Sequence, residues 1–396
     1  MKSVDIAIIG GGLVGASLAL ALQQGAQQRQ WSIALIEPFA PGDSYQPSYD
    51  VRASALTYGS QQIYQRLGIW PQVAARAEAI RDIHVSDKGH FAAARMSAAK
   101  ENVPALGYVV ENAWLGHCLW AALDSQVVHW HCPAQVERLQ PNAQGYQLKL
   151  QDGTELQAKL TILADGGRSN LREQLGIHAQ VTPYAQTAII STVSPELAHE
   201  GLAFERFTSI GPMALLPLPE NRCVLIWTRP PAEAERLAAL ADEDFLAELQ
   251  DCFGYRLGAF KQVGARHLYP LSLVQSSEQV RRNLVVLGNS AHSLHPIAGQ
   301  GYNLSLRDAL ALAEHVLASQ AELGDLATLQ AYQASQQRDQ DLVIGFSDRS
   351  TRLFSNAQPL LVTGRNLGLL GLELCPPAKS YFTRYAMGLG GRGTAV

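Results

Sequence analysis

Charge is scarce in this chain. Asp, Glu, Lys and Arg make up 17% of its 396 residues, against about 25% in an ordinary soluble domain. With 47% of the residues hydrophobic, that composition implies a large core under a thin charged skin. The 31 basic and 35 acidic residues leave a net charge of -4. Neither a basic excess nor a run of five like charges occurs, so the electrostatic footprint of a nucleic-acid binder is missing and no nucleic-acid partner is expected. Cysteine is also sparse. Cys118, Cys132, Cys223, Cys252 and Cys375 stand far apart, in odd number and without a Cys-x-x-Cys pair, which argues against a disulfide scaffold or a structural zinc site. The two longest apolar runs do not read as membrane segments. Ile6 to Leu22 is interrupted by Gly10, Gly11 and Gly12, and Pro359 to Leu374 by Arg365 and three glycines. A cytoplasmic protein is expected. No internal repeat or low-complexity linker is evident, and at about 150 residues per domain the length suggests two to three domains.

What is present begins at the N-terminus. Val4 to Ile9 is a buried-strand pattern, Gly10-Gly11-Gly12-Leu13-Val14-Gly15 a glycine turn, and Ala16 to Leu22 a helical pattern. A second apolar run, Ile33 to Ile36, ends in Glu37, completing a βαβ unit of dinucleotide-binding size. In such a unit Gly10 permits the tight turn, Gly12 lets the backbone approach a pyrophosphate, and Gly15 lets the helix pack close to the strand. Glu37 is then placed to accept hydrogen bonds from a ribose diol.

Two later segments repeat the strand-to-turn theme. Leu160 to Ala164 runs into Asp165-Gly166-Gly167-Arg168-Ser169. Further on, Asn283 to Leu287 leads through Gly288, Asn289, His292, His295 and Pro296 to Gly299-Gln300-Gly301-Tyr302-Asn303, and then to a helical pattern over Leu304 to Leu317. A second helix N-terminus of this kind can stabilise negative charge on whatever it faces, as a reduced flavin would present near N1; a plain strand-to-helix loop is the alternative. His292 and His295 lack a third ligand at suitable spacing, so no metal is expected.

The texture between these landmarks is different. Short β-like runs dominate 80–106 and 181–273, among them Phe204 to Thr208, Met213 to Leu218 and Cys223 to Thr228. Phe207, Met213, Leu215 and Trp227 are candidates to line an apolar substrate pocket, with ordinary core packing as the alternative. The expected fold class is α/β: a Rossmann-like domain assembled discontinuously from 1–79, 107–180 and 274–335, an inserted β-sheet substrate domain at 80–106 and 181–273, and C-terminal helices over 336–396.

Together the ordered fingerprints resemble the group A flavin-dependent aromatic hydroxylases, built like p-hydroxybenzoate hydroxylase. Within that family the likeness is greatest to the ubiquinone-biosynthesis hydroxylases. It is carried by Asp50 to Leu56, Ala203 to Thr208, Gly288 to Gly301 and Gly364-Arg365-Asn366-Leu367-Gly368, with Phe204 to Thr208 pointing to hydroxylation of a polyprenylated methoxyphenol. The resemblance implies FAD as cofactor. Gly10, Gly12, Gly15 and Glu37 would hold its ADP half, with Val136 against the adenine and Arg52 on the diphosphate or the incoming nicotinamide nucleotide. Asp165 and Gly166 would lie near FAD and that nucleotide; Asn289, Pro296, Gly299, Gly301 and Asn303 near the ribityl chain and ring.

The implied chemistry is reduction of FAD by NAD(P)H or another donor, addition of O2 at flavin C4a, and transfer of one oxygen atom from the hydroperoxide to an electron-rich phenol. The cofactor carries that chemistry, and no catalytic side chain stands out in the sequence. Two departures from the family pattern are visible. Asn289 stands where most relatives have Asp, and Val110-Glu111-Asn112 where many place Arg or Gln. Alternatives are a sister hydroxylase acting at another ring carbon, or a non-catalytic flavin-binding subunit. A lipid-tailed substrate also implies peripheral contact with the inner face of a membrane, and a pathway enzyme contact with other ubiquinone-biosynthesis proteins.

Overall fold

The computed structural model describes residues 2–40, 53–90, 92–354 and 358–389. Arg52 therefore lies outside the described residues.

Buried apolar strands without alternation favour a parallel sheet covered on both faces. Five such strands lie side by side in the order Leu284–Val286, Glu155–Leu163, Lys2–Ile9, Ile33–Ile36 and Val128–His131, each parallel to its neighbour. The hairpin Val136–Asn142 and Gly145–Leu150 extends Glu155–Leu163 in antiparallel fashion. Helices Leu13–Gln28 and Gln300–Ala318 pack on one face, where Leu18, Leu22, Leu312 and Val316 meet Ile6, Ile8, Leu160 and Ile162.

This topology gathers the glycine turns, because Gly10, Glu37, Asp165 and Gly288 each follow the C-terminal end of a parallel strand. Open α/β sheets bind ligands at that edge.

A second, larger sheet takes strands from 82–97 and 179–276. Its order is His267–Ser276, Ala179–Pro195, Arg222–Arg229, Met213–Leu218, Leu202–Phe207, Asp82–Asp87 and Ala93–Ser97, with the short strand His292–Ser293 on one edge. One face is backed by helices Pro231–Ala238 and Asp242–Phe253. A small sheet of Ala53–Thr57, Gly107–Glu111 and Ala77–Ile80 stands between the two large ones. Helices Leu326–Phe354, Pro359–Leu374 and Pro376–Ala386 follow in chain order. Among the described residues no helix is long and apolar enough to cross a membrane.

Alternation along the strands corrects part of the pocket expected from sequence. Successive strand residues face opposite sides, so Met213, Leu215 and Trp227, paired in register, all turn toward the backing helices. There the Trp227 ring meets Phe245 edge-on, with centroids 5.7 Å apart. The intervening Ala214, Leu216, Val224 and Ile226 face the interior cavity instead; of the four candidates only Phe207 lines it.

Candidate active site

A single cavity of about 1160 Å³ runs from the strand ends of the parallel sheet to the free face of the larger, mixed sheet, with the C-terminal helices as its third wall. At its polar end the backbone does the work. Gly10 has φ of +108°, and a Cβ there would stand 2.4 Å from the Ala164 carbonyl oxygen. At Gly15 a Cβ would stand 1.9 Å from the carbonyl oxygen of Gly10. No other residue type fits either position.

Gly12 caps helix Leu13–Gln28 without a side-chain hydrogen bond, and no acidic residue stands in the first turn. The same holds for helix Gln300–Ala318, whose cap Gly299 has φ of +59°. Two helix N-termini with uncapped N–H groups thus open onto one cavity, the arrangement an anionic dinucleotide requires.

Glu37 is buried, and its carboxylate accepts from the backbone N–H of Gly11 at 2.7 Å and of Phe39 at 3.2 Å. Burial raises its pKa against the pull of those two donors and of nearby Arg168. Its backbone carbonyl receives Ala134 N–H, which brings Ala134, Gln135 and Val136 to the cavity beside it.

Asp165 holds the two later fingerprints to each other. Its Oδ1 accepts from Ser290 Oγ at 2.6 Å and Gly167 N at 3.0 Å, while Oδ2 accepts from the backbone N–H and the hydroxyl of Ser169. Gly166 and Gly167 both adopt positive φ in that turn. Asn289 is exposed at the cavity wall, and Pro296, Gly299 and Gly301 line the same wall.

Asn303 differs from the sequence expectation. Its side chain is fully buried and does not line the cavity: Oδ1 accepts from Thr57 N and Ser60 Oγ, and Nδ2 donates to the carbonyls of Ala55 and Gly299. It fixes the glycine loop to the small sheet. Among the described residues no metal-binding cluster exists. His292 pairs with Asp308 at 2.8 Å, and His295 lines the cavity with its pKa lowered to about 4 by burial, hence neutral.

The two departures also acquire places. Glu111 pairs with Arg222 at 3.4 Å and does not line the cavity, whereas its neighbour Asn112 does and accepts from Ser54 Oγ at 2.7 Å.

Sequence reasoning assigned no role to Arg168, which faces the polar end beside Glu37. It also missed the buried pair of Arg365 with Asp87, at 2.8 and 3.2 Å, which pins helix Pro359–Leu374 to strand Asp82–Asp87. The signals available were an isolated Arg in an apolar, glycine-broken run and its place in the Gly364 to Gly368 segment that carries the resemblance; neither names a partner.

A family model described as an FAD binding domain matches residues 3–346. The ubiquinone hydroxylase UbiL of Rhodospirillum rubrum is 37% identical over 98% of this chain and 90% of its own length. The chain belongs to the family of FAD-dependent ubiquinone-pathway hydroxylases. Other members are the 3-demethoxyubiquinol 3-hydroxylase of Escherichia coli, 33% identical over 98% of this chain and 99% of its own, and the human mitochondrial monooxygenase COQ6, 28% identical over 96% and 92%.

Solved structures share the fold. The p-nitrophenol 4-monooxygenase PnpA of Pseudomonas putida superposes with a TM-score of 0.79 at 16% identity, each chain fully covered. HpxO of Klebsiella pneumoniae, solved with FAD, gives 0.77 at 18%, over 98% of this chain and all of its own. The α/β architecture is thus that of the p-hydroxybenzoate hydroxylase type, and the protein is an FAD-dependent aromatic-ring monooxygenase of that family.

Proposed function

We propose that the protein hydroxylates the aromatic ring of a polyprenylated methoxyphenol in ubiquinone biosynthesis, the activity of a 2-polyprenyl-6-methoxyphenol hydroxylase, with NAD(P)H as reductant. The observation that carries this reading is the continuity of one cavity from two uncapped helix N-termini to an apolar wall of Ile83, Val85, Met96, Leu216 and Ile226. A dinucleotide matches the first end and a lipid-tailed ring the second.

FAD, when bound and reduced, supplies the activation of O2 and the oxygen transfer. The chain's own residues bind, orient and exclude water. Gly10 and Gly12 bring the backbone close to the pyrophosphate, Gly15 lets the helix pack tightly behind them, Glu37 accepts from the ribose, and Val136 lies against the adenine. Asp165 and Gly166 shape the turn between the nucleotide halves. Asn289, Pro296, Gly299 and Gly301 present the ribityl and ring wall. The Asp87–Arg365 pair closes the apolar end with a helix, which keeps bulk water from the ring. An apolar entry for the lipid tail suits peripheral membrane contact and hand-over from other pathway proteins, with Leu367 and Leu374 exposed on the closing helix.

The test is to purify the protein, measure bound FAD, and analyse the product formed from a prenylated methoxyphenol with NAD(P)H and isotopically heavy O2. Incorporation of one heavy oxygen on the ring supports the reading. Stoichiometric FAD without ring oxygenation of any phenol would place the chain as a flavin-binding subunit. A second reading, hydroxylation of a demethoxyubiquinol at another ring carbon, draws on the likeness to the Escherichia coli 3-demethoxyubiquinol 3-hydroxylase across nearly both chains. The position of the new hydroxyl in the product separates the two.

A further inference from the structure

The segment Phe204 to Thr208 places an acid in an unusual position. Strand Leu202–Phe207 turns Ala203, Glu205 and Phe207 to the cavity. Glu205 lies in register with Val85 on one neighbouring strand and Ala214 on the other. Leu216, Met96 and Ile226 extend this apolar surface, and helix residues Leu369 and Leu372 face it across the cavity.

None of the hydrogen bonds or ion pairs found among the described residues involves the Glu205 carboxyl. Burial alone raises its pKa, to about 8. The charged groups on the surrounding elements are engaged elsewhere or face away from it. Arg365 on the facing helix is held by Asp87, and Arg222 by Glu111. Arg206 and His84 sit on the opposite side of their strands, where His84 meets Arg256. Strand Met213–Leu218 carries no ionisable residue. His295, which lines the cavity, is neutral, and Tyr385 keeps its proton because burial raises its pKa.

A carboxyl held on a rigid strand in an apolar pocket, without a protein partner, is costly unless a ligand supplies the partner. We propose that Glu205 contacts the phenol hydroxyl of the substrate and accepts its proton as the ring is attacked. This rests on the phenol reading given above. In the step, the phenol O–H bond breaks and a Glu205 O–H bond forms. The electron pair stays on the phenol oxygen and enriches the ring carbon that receives oxygen, the oxygen and the electrons being supplied by O2 and the reductant of the monooxygenase reaction.

A base poised near the working pH suits this transfer, and ionisation also changes what the site recognises. The neutral acid can donate to a phenol or to an ether oxygen. The carboxylate can only accept, so it favours the phenol and rejects its methyl ether.

The test uses the FAD-loaded protein and two probes, a methoxyphenol bearing one prenyl group and the same molecule with its hydroxyl methylated. Binding of each is measured calorimetrically between about pH 7 and about pH 9, below the phenol's own ionisation near 10. The wild type is expected to prefer the phenol more strongly as pH rises through the Glu205 pKa, by roughly tenfold across the range. In E205Q the preference becomes independent of pH, turnover falls by roughly 100-fold or more, and the limb of the pH–rate profile near 8 disappears; E205D restores part of that limb. E205Q with an unchanged limb and unchanged preference would overturn the role of Glu205 while leaving the substrate reading intact. Equal binding of phenol and ether by the wild type at every pH would overturn both.

Discussion

At the polar end of the cavity Glu37 accepts two backbone N–H groups, whereas at the apolar end no hydrogen bond to Glu205 is found among the described residues. Both acids face one cavity, Glu37 just past the end of strand Ile33–Ile36 and Glu205 within strand Leu202–Phe207, yet they differ in what completes them. The Glu37 end is finished by the protein backbone: uncapped helix ends, positive-φ glycines and the Asp165 hub are all in place. The Glu205 end is shaped but chemically open. Such a division separates an end whose polar groups the protein itself satisfies from an end where, on the proposal above, a substrate phenol supplies the missing partner.

The comparison can be broken most severely at Gly15. Gly15→Val forces side-chain atoms into the Gly10 carbonyl and should cost on the order of 3 kcal/mol or more, read as loss of both bound FAD and the cooperative thermal transition. Next is Asp87→Ala, which leaves Arg365 buried without its carboxylate; breaking a buried pair from one side costs about 3–5 kcal/mol. Here the damage should stay at the apolar end, with a lowered melting temperature but retained FAD. Loss of FAD in this variant would show that the two ends are not separable.

Asp165→Ala removes acceptors for Ser290, Gly167 and Ser169 and should weaken FAD binding by about tenfold, near 1.4 kcal/mol, measured by fluorescence titration of apoprotein. The smallest effect belongs to Glu111→Gln. Its partly exposed pair with Arg222 contributes about 1 kcal/mol at most, so FAD affinity should be unchanged; a large loss would tie this position to the cofactor site.

The polar end was legible in the sequence because its chemistry depends on backbone conformation, and only glycine satisfies Gly10 and Gly15. Three turns at strand ends then had to share one edge of a parallel sheet. The apolar end was not legible in the same way. Ala214, Leu216, Val224 and Ile226 are apolar like Met213, Leu215 and Trp227 on the opposite face, and only which face the backing helices cover decides which set lines a cavity. Asn303 escaped for a related reason: an Asn at a helix start looks alike whether it faces a ligand or, as here, clamps Thr57 and Ser60. Arg365 needed a partner nearly three hundred residues away, a separation that no local pattern encodes.

The third wall of the cavity has a consequence for how the protein is made. Val343, Phe346, Gly368, Leu369, Phe382 and Met387 are supplied later in chain order than both sheets. During synthesis, which delivers N-terminal parts first, the nucleotide cradle and the strand bearing Glu205 can fold as an open trough. The dinucleotide can then be laid in from the side before the last helices arrive and Arg365 finds Asp87, so that loading the cofactor needs no gate in the finished molecule.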